Sequence, residues 1–520
     1  MLPKPLIFAQ WDAGIMDSAY EGIKGGFASI VGLDYRTYPG ILQVERPMLK
    51  VSGQSGGSDV VNGFVKWIIN LGPESDYALC DEQAVGTTGY ETRILRTENS
   101  GATWSLFKMM GTSDSPFNAN GGIFWKNYFL FASDKHLGYY KPGTTWVLDW
   151  QSFHTATDTG GNDIDWHPMW QGQRDGSLYI GCGRYVALLV ETAGKTFDPT
   201  DATTYSFTYN ALDIPSDFRI KSFAEVGDYL MLGCWKKVGT KHYPVAVLYP
   251  WNYVIRPLSH EAPLFKNKLM GVSAQLNIDN VLYSWLGSKG EIFYYNGSEF
   301  RKLKRLSKND GIGTLEIRPG AVKEFNDMAY FGVDNAPTYT PAVLGGIYQY
   351  GSHDKAKYPP SINLPYPLSL GQSAAHEIYS LGVAGLNDQI LLAGWYIDGA
   401  NSGIDQLDTS TRLSQGAYFE TMLMQLGTVK DKAKIDKFEI YLDGPLAANQ
   451  GIDIKYRRKA SGSWIQIGEA GGSTFSYTND GAVSEKYIPF NINNIVNLQF
   501  KVNFYTSGDT TPLLKTILCQ

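Results

Sequence analysis

Two aspartates and a histidine at alternating positions form the most metal-like motif in this sequence. Asp163, Asp165 and His167 would share one face of a strand, because successive side chains of a strand point to opposite faces. Carboxylate oxygens suit Ca²⁺, but a single imidazole fits calcium poorly. A polar loop with hydrated charges explains the motif better. The sequence therefore predicts no metal site and no cofactor, with Asp163 and Asp165 as the candidates to test.

Motifs for other kinds of catalysis are missing from the sequence. The remaining histidines are scattered and form no Ser-His-Asp or Cys-His arrangement, and there is no phosphate-binding loop or dinucleotide fingerprint. Glycoside hydrolysis needs only two carboxylates at a suitable separation, which sequence cannot reveal among 51 acidic residues. We therefore expect no catalytic residues and no enzymatic activity, with a glycan-binding or glycan-degrading protein as the alternative. In that alternative, exposed aromatic residues would stack on sugars: Trp166, Trp170, Trp235 and Trp251.

A recurring β-hairpin would position any such site. In Phe223–Cys234 an apolar strand meets the turn Gly227-Asp228, and a second apolar strand follows. Glycine and aspartate tolerate the positive φ of tight hairpin turns. The pattern returns about every fifty residues, a spacing typical of the four-stranded blades of a β-propeller. Its turn residues are Asp76, Asn127, Gly176, Asp228, Asn280, Asp327 and Asp388. Seven copies predict seven blades, with six or eight as the alternatives.

A second hairpin motif also favours a propeller. The segment Thr97–Trp104 resembles the Asp-box of sialidase-type propellers, with Asn99 at the aspartate position. Degenerate copies end at Trp146, Phe197 and Phe300. In each copy a glycine allows the tight turn, and the aromatic residue is expected to pack between neighbouring sheets. The structural residues predicted from these copies are Asn99, Gly101, Trp104, Gly143, Trp146, Gly194 and Gly297.

Composition narrows the other possibilities. The chain has 520 residues, more than one ordinary core holds, and a net charge of −6, which argues against nucleic-acid binding by bulk electrostatics. Basic clusters at 301–308 and 455–459 are expected to face water and leave nucleic-acid contact uncertain. No apolar stretch reaches the ~18–20 residues of a membrane span, and no signal peptide is recognisable, so synthesis in the cytoplasm is expected. The four cysteines (Cys80, Cys182, Cys234 and Cys519) have no disulfide or metal spacing.

These patterns divide the chain into three consecutive segments. Residues 1–55 are expected to form an N-terminal arm, in which part of 38–52 joins the last blade and removes two open sheet edges. Residues 56–415 hold the propeller, with an excursion from its rim near 352–372. In residues 416–520, segments alternate apolar and polar positions between turn clusters, which predicts an antiparallel β-sandwich.

This layout resembles propeller-bearing virion proteins of tailed bacteriophages, of the tail-nozzle and tail-associated group. The resemblance rests on Pro39–Arg46 and on the sandwich motifs Ile454–Arg457, Ser463-Trp464 and Gly508–Leu514. It implies a structural subunit of the virion tail, assembled in a ring with copies of itself and with other tail proteins. A host-surface glycan is a possible further partner. A sialidase is disfavoured, because Phe218–Lys221 has lysine where the Arg-Ile-Pro motif has proline and lies in mid-propeller instead of the first blade.

Overall fold

The computed structural model shows a chain built almost entirely of β-strands. Its contacts separate two compact units, one of residues 1–49, 346–373 and 407–520, and one of residues 50–345 and 374–406. The three consecutive segments expected from the sequence do not coincide with these units, because distant parts of the chain share one sandwich core. No helix of the described residues is long and apolar enough to cross a membrane. The structure describes residues 6–16, 26–38, 40–51, 61, 63–71, 76–85, 89–111, 119–133, 135–141, 143, 146–153, 166–238, 241–254, 256–257, 265–267, 271–287, 290–306, 317–334, 344–352, 360–372, 375–385, 389–398, 401–447, 450–467, 477–478, 485–506 and 508–520.

Six short strands precede the first repeat. They are β1 (Leu6–Phe8), β2 (Gly14–Ile15), β3 (Gly26–Val31), β4 (Leu33–Asp34), β5 (Gln43–Val44) and β6 (Met48–Lys50). Most of them belong to the sandwich unit described below, whereas β6 is the outermost strand of the last propeller sheet.

Five consecutive sheets of four or five strands begin the propeller unit. Blade 1 contains β7 (Phe64–Asn70), β8 (Tyr77–Val85), β9 (Gly89–Thr97) and β10 (Ser105–Gly111), and blade 2 contains β11 (Gly121–Trp125), β12 (Tyr128–Ala132), β13 (His136–Tyr140) and β14 (Val147–Ser152). Blade 3 contains β15 (Met169–Gln171), β16 (Leu178–Cys182), β17 (Tyr185–Glu191), β18 (Tyr205–Asp213) and the added β22 (Arg256–Pro257). Blade 4 contains β19 (Phe218–Val226), β20 (Tyr229–Val238), β21 (Lys241–Trp251) and β23 (Phe265–Asn267), and blade 5 contains β24 (Val272–Ile278), β25 (Val281–Leu286), β26 (Glu291–Tyr295) and β27 (Phe300–Arg305).

The last two blades complete the ring. A 3₁₀ helix, η1 (Pro319–Ala321), leads into the blade 6 hairpin of β28 (Val322–Phe325) and β29 (Met328–Val333), and blade 7 contains β32 (Glu377–Ala384), β33 (Ile390–Asp398), β34 (Asn401–Leu407) and β6. The first strand of each blade contacts the first strand of the next, and β32 contacts β7. The propeller is therefore a closed ring of seven blades. The closing strand β6 lies within residues 38–52, where it was expected, and the Val51 N–H donates to the Ile404 carbonyl at 2.9 Å.

In blades 2, 5 and 6 a tight turn joins the first and second strands, at a residue that the repeat predicted. The turns Lys126-Asn127, Asp279-Asn280 and Asn326-Asp327 have φ between 50° and 68° at both positions. Such values characterise type I′ hairpins, whose twist matches that of the flanking strands. Asn and Asp accept this conformation because their short polar side chains tolerate positive φ. The expected turn at Asp388 lies outside the described residues.

The other unit is a two-sheet sandwich. One sheet has the order β1-β43-β37-β41, and the other contains β3-β35-β42-β38-β39, with β2, β30, β31, β36 and β40 attached. Along β42, Phe500, Val502 and Phe504 point into the core between the sheets. The residues expected to leave the propeller rim near 352–372 include β31, which pairs with β3. The strands not yet bounded are β30 (Gly346–Gly351), β31 (Ser361–Tyr366), β35 (Ala417–Thr421), β36 (Met424–Gln425), β37 (Ala433–Leu442), β38 (Gly451–Arg457), β39 (Ile465–Gln466), β40 (Tyr477–Thr478), β41 (Glu485–Ile495), β42 (Asn497–Tyr505) and β43 (Leu514–Cys519).

Candidate functional site

The starts of the first strands meet at one opening of the propeller ring, which we call the mouth. Phe64 begins β7 and Glu377 begins β32, and Arg318 directly precedes η1. The rings of Phe64 and Tyr379, from blades 1 and 7, have centroids 4.8 Å apart. The arrangement of the ring therefore brings side chains from three blades together at the mouth.

Arg318 binds two carboxylates there. Its Nη2 lies 2.6 Å from Glu377 Oε2 and 3.4 Å from Asp334 Oδ2. The Ile378 N–H donates to the other Asp334 oxygen, Oδ1, at 2.8 Å. Asp334 is thus held on both oxygens, whereas the Glu377 side chain keeps 47% of its surface exposed, against 20% for Asp334. Glu377 is the carboxylate of this pair that an incoming ligand meets first.

Tyr379 joins this ion pair through its hydroxyl and its ring. The hydroxyl donates to Glu377 Oε2 at 2.7 Å, and the Arg318 guanidinium carbon lies 3.8 Å from the ring centroid. Burial raises the pKa of Tyr379 far above its usual range, the Arg318 charge opposes that rise, and the hydrogen bond to Glu377 adds to it. Tyr379 is therefore a neutral phenol at physiological pH and acts as a hydrogen-bond donor to Glu377.

Aromatic rings border the carboxylates on one side. Phe64 lies between Tyr379 and Tyr396, with ring centroids 4.1 Å apart for Phe64 and Tyr396. All three rings are half-buried, and Tyr396 pairs directly with Glu377 across β32 and β33. Half-buried aromatic faces beside polar groups form an amphipathic surface, on which a ligand with apolar and hydroxylated faces can stack and hydrogen-bond.

The η1 helix and Trp166 lie next to this group and form what we call the floor. A Cβ added to Gly320 would lie 2.5 Å from the Lys66 carbonyl oxygen, 2.9 Å from the Tyr379 carbonyl oxygen and 3.3 Å from the edge of the Trp166 ring. The helix contacts the first strands of blades 1, 5 and 7. Glycine is needed at this position because the backbone of three elements and an indole ring meet there.

Two carboxylates bridged by an arginine and bordered by aromatic rings can act on sugars in two ways. The arginine, carboxylate and phenol groups can hydrogen-bond hydroxyls while a ring stacks on the apolar face of the sugar. A pair of close carboxylates is also the constellation that cleaves glycosidic bonds. Oxygens of both carboxylates lie within 3.4 Å of the same nitrogen, Arg318 Nη2.

The tryptophans proposed from sequence as sugar platforms have different surroundings. Trp166 is half-buried in the floor. Trp170 Nε1 donates a hydrogen bond to Glu225 Oε2 at 3.1 Å, and the Lys221 ammonium lies 4.6 Å from the ring centroid of Trp235. Trp251 is fully buried, with its Nε1 bonded to the Val254 carbonyl at 2.8 Å, so it cannot stack on a ligand. Of these four tryptophans, only Trp166 lies next to the mouth, where its ring edge approaches Gly320.

The predicted Asp-box residues lie on outer hairpins. Asn99 Oδ1 accepts a hydrogen bond from the Thr103 N–H at 2.9 Å, and Gly101 has a φ of 95°. Trp104 is buried in the core shared by blades 1 and 7. Trp146 stacks on Tyr140 with ring centroids 4.5 Å apart. The other motif glycines have positive φ as well, Gly143 at 79°, Gly194 at 76° and Gly297 at 93°. These residues position strands and do not contribute to the mouth.

The metal-like motif does not join this site. Asp163 and Asp165 lie outside the described residues, whereas His167 is buried with its Nδ1 2.8 Å from the Gly181 carbonyl oxygen. Among the residues that the structure describes, no cluster of His, Cys, Asp and Glu could hold a metal ion. The four cysteines are buried thiols, and burial raises the pKa of Cys182 and Cys234.

Sequence reasoning missed Arg318, Asp334, Glu377 and Tyr379. Each lies within a few residues of the start or end of a first or second strand in blades 6 and 7. The signal that could have identified them is their place in the repeat, because ligand groups in a ring of sheets come from the strand ends around its opening. The sequence alone could not single out these polar residues among the others near strand ends.

No family model matches the sequence, and no curated protein matches it. Solved structures do match. The β-propeller domain of the Trilobed protease from Pyrococcus furiosus shares 12% identity over 66% of this chain and 95% of that chain, with a TM-score of 0.32. A GH74 xyloglucanase from Xanthomonas campestris shares 12% identity over 91% of this chain and 70% of that one, with a TM-score of 0.38. An exo-β-1,3-galactanase from Phanerochaete chrysosporium shares 8% identity over 92% of this chain and all of that one, with a TM-score of 0.31. This chain spans 47% of another match, the extracellular domain of a putative hybrid two component system from B. thetaiotaomicron.

These comparisons correct the expectation that the protein has no enzymatic activity. Glycoside hydrolases recur among the matching structures, so an all-β chain with a propeller cannot be assigned a purely structural role from its fold. The expectation was wrong because it treated the lack of a recognisable motif as evidence, whereas glycoside hydrolysis needs only two carboxylates brought together in space. None of the structures named above is a virion protein, and a place in a phage tail remains a prediction from sequence.

Proposed function

We propose that this chain is a glycan-directed propeller that binds sugars at the mouth and cleaves a glycosidic bond there. The proposal rests on one observation, the bridging of Glu377 and Asp334 by Arg318 beside half-buried aromatic rings. Few ligand classes need stacking, several hydrogen bonds and a pair of carboxylates at the same place. The repeated likeness to glycoside hydrolases agrees with the proposal at the level of fold alone.

Each group has a distinct part in this function. The exposed Glu377 carboxylate acts as the nucleophile: it bonds the anomeric carbon as the bond to the leaving oxygen breaks, a water at the mouth gives that oxygen its proton, and a second water then hydrolyses the glycosyl-enzyme. Tyr379 and Arg318 hold Glu377 Oε2 in place. Asp334 fixes the guanidinium and is itself held by the Ile378 N–H. The rings of Phe64 and Tyr396 provide the stacking surface.

A screen of immobilised glycans, followed by a hydrolysis assay on the glycans that bind, tests the proposal. Glu377→Gln keeps the size of the side chain and removes its charge, and it should abolish hydrolysis while the protein remains folded. Tyr379→Phe removes only the hydroxyl that donates to Glu377, and it should lower the rate by about tenfold or more, the loss of one positioning hydrogen bond.

A matched pair elsewhere in the propeller supplies the control. In blade 5 the Tyr294 hydroxyl donates to Glu299 Oε2 at 3.1 Å, and the Arg301 guanidinium carbon lies 4.6 Å from the Tyr294 ring centroid. This exposed Arg-Tyr-Glu group has the same chemistry but lies on an outer hairpin. Glu299→Gln should leave binding and hydrolysis unchanged. Equal losses from Glu299→Gln and Glu377→Gln, or no glycan bound by the wild-type protein, would contradict the proposal.

A further inference from the structure

We propose that the mouth accepts only the end of a glycan chain and that Trp166 determines this specificity. The inference rests on the proposed function, which it deepens by naming the part of the glycan that is bound. A passage open through the ring would let a long chain thread across its axis, whereas a closed floor stops the chain after its terminal sugars. The part of the glycan that can bind therefore depends on the residues that lie on the axis of the ring beneath Glu377.

The η1 helix lies against the first strands of blades 1, 5 and 7. Its residue Gly320 packs so closely on the Lys66 and Tyr379 carbonyl oxygens that a methyl group would lie 2.5 Å and 2.9 Å from them. The helix thus touches blades 1 and 7 at the same level, and it also contacts the first strand of blade 5. No sugar fits between Gly320 and these two carbonyl groups.

Trp166, which precedes blade 3, meets the helix at Gly320. Its ring edge lies 3.3 Å from the Cβ position of Gly320, so the indole reaches the helix from the opposite part of the ring. The ring packs against the apolar core that contains Trp67 and Phe129, which keeps it from swinging away. Trp166 remains half-buried, so part of its surface is available to a ligand.

The floor is rigidly connected to the ligand-binding groups. Arg318 caps η1, its carbonyl oxygen accepts the Ala321 N–H at 2.9 Å, and its side chain binds Glu377. Tyr379 contacts Gly320 through its carbonyl oxygen and Glu377 through its hydroxyl. The carboxylates therefore lie at a set depth above the floor, which limits how many sugars fit beneath the reacting bond.

The test uses hexasaccharides of glucose, galactose, mannose and N-acetylglucosamine in two forms. One form has free ends, and the other carries a 4,6-O-benzylidene acetal at the non-reducing end and a 2-aminobenzamide group at the reducing end. We expect the wild-type protein to bind a free-ended chain at least about tenfold more tightly than its doubly capped form, and to release short products from free chain ends. Trp166→Ala opens the floor and should bring the two affinities within about threefold of each other.

A second variant keeps the inference testable if Trp166→Ala does not fold. Trp166→Phe retains a ring in the floor and should preserve the preference for free ends. Doubly capped chains bound as tightly as free ones by the wild-type protein would overturn the inference and leave the proposed function standing. Binding of neither form would overturn both.

Discussion

Replacing Arg318 with methionine tests how much the ion pairs of the mouth contribute to the stability of the protein. Arg318→Met keeps the length of the side chain and removes its charge. It breaks two partly exposed ion pairs, each worth up to about 1 kcal/mol, and a cation–π contact worth about 1 kcal/mol. We expect the free energy of unfolding to fall by about 1–3 kcal/mol, because Glu377 and Asp334 also lose the cation between them.

Chemical denaturation of the wild type and the variant, followed by circular dichroism, measures this change. The control is Arg301→Met, which removes a guanidinium from an exposed tyrosine ring and should change the free energy of unfolding by no more than about 0.5 kcal/mol. Arg318→Lys should fall between wild type and Arg318→Met, since a single ammonium cannot reproduce the planar fork of the guanidinium. Equal stabilities of Arg318→Met and Arg301→Met would refute the view that Arg318 organises the mouth.

Three further predictions concern other parts of the chain. Trp104→Ala should lower the free energy of unfolding by roughly 3–5 kcal/mol, because the ring is buried between two blades, and an unchanged thermal melting curve would show that it is not. Gly320→Ala should lower the melting temperature and weaken glycan binding together, since the new methyl group would overlap the Lys66 carbonyl oxygen, and a variant with wild-type melting and binding would mean that the floor is loosely packed. Burial and the Asp34 carboxylate raise the pKa of Glu45 to about 8, so the folded protein holds a proton that the unfolded chain releases above the usual glutamate pKa of 4.5. Stability should then fall as pH rises from about 4.5 to 8, by no more than about 5 kcal/mol, and Glu45→Gln should flatten this dependence in melting curves recorded across that range.

Local signals in the sequence predicted much of the fold. The turns at Asn127, Asn280 and Asp327 were identified because residue types that tolerate positive φ occur between two apolar strands. Their spacing gave the number of blades, since each copy forms one sheet of the ring. The buried Trp104 followed from its place after a glycine turn in the Asp-box. Each of these features depends on residues that are close together along the chain.

The sequence predicted only some of the strands of the sandwich and not how they pair. Alternation of apolar and polar residues located its C-terminal strands, because one face of each strand is buried. It could not show that β1 pairs with β43, Leu6 opposite Cys519, or that β31 pairs with β3. Short strands of two to six residues have too little pattern to specify a partner, so the tertiary structure selects it.

The candidate site was decided by the tertiary structure alone. Phe64, Arg318 and Glu377 belong to three different blades, and they meet because the ring closes β32 onto β7. The sequence by itself determined the repeating unit and the number of its copies, through turn chemistry and apolar patterning. The arrangement of the sheets around the axis decides which polar residues face one another across the mouth. This arrangement brings together positions more than three hundred residues apart, and local sequence patterns carry no information about contacts at that separation.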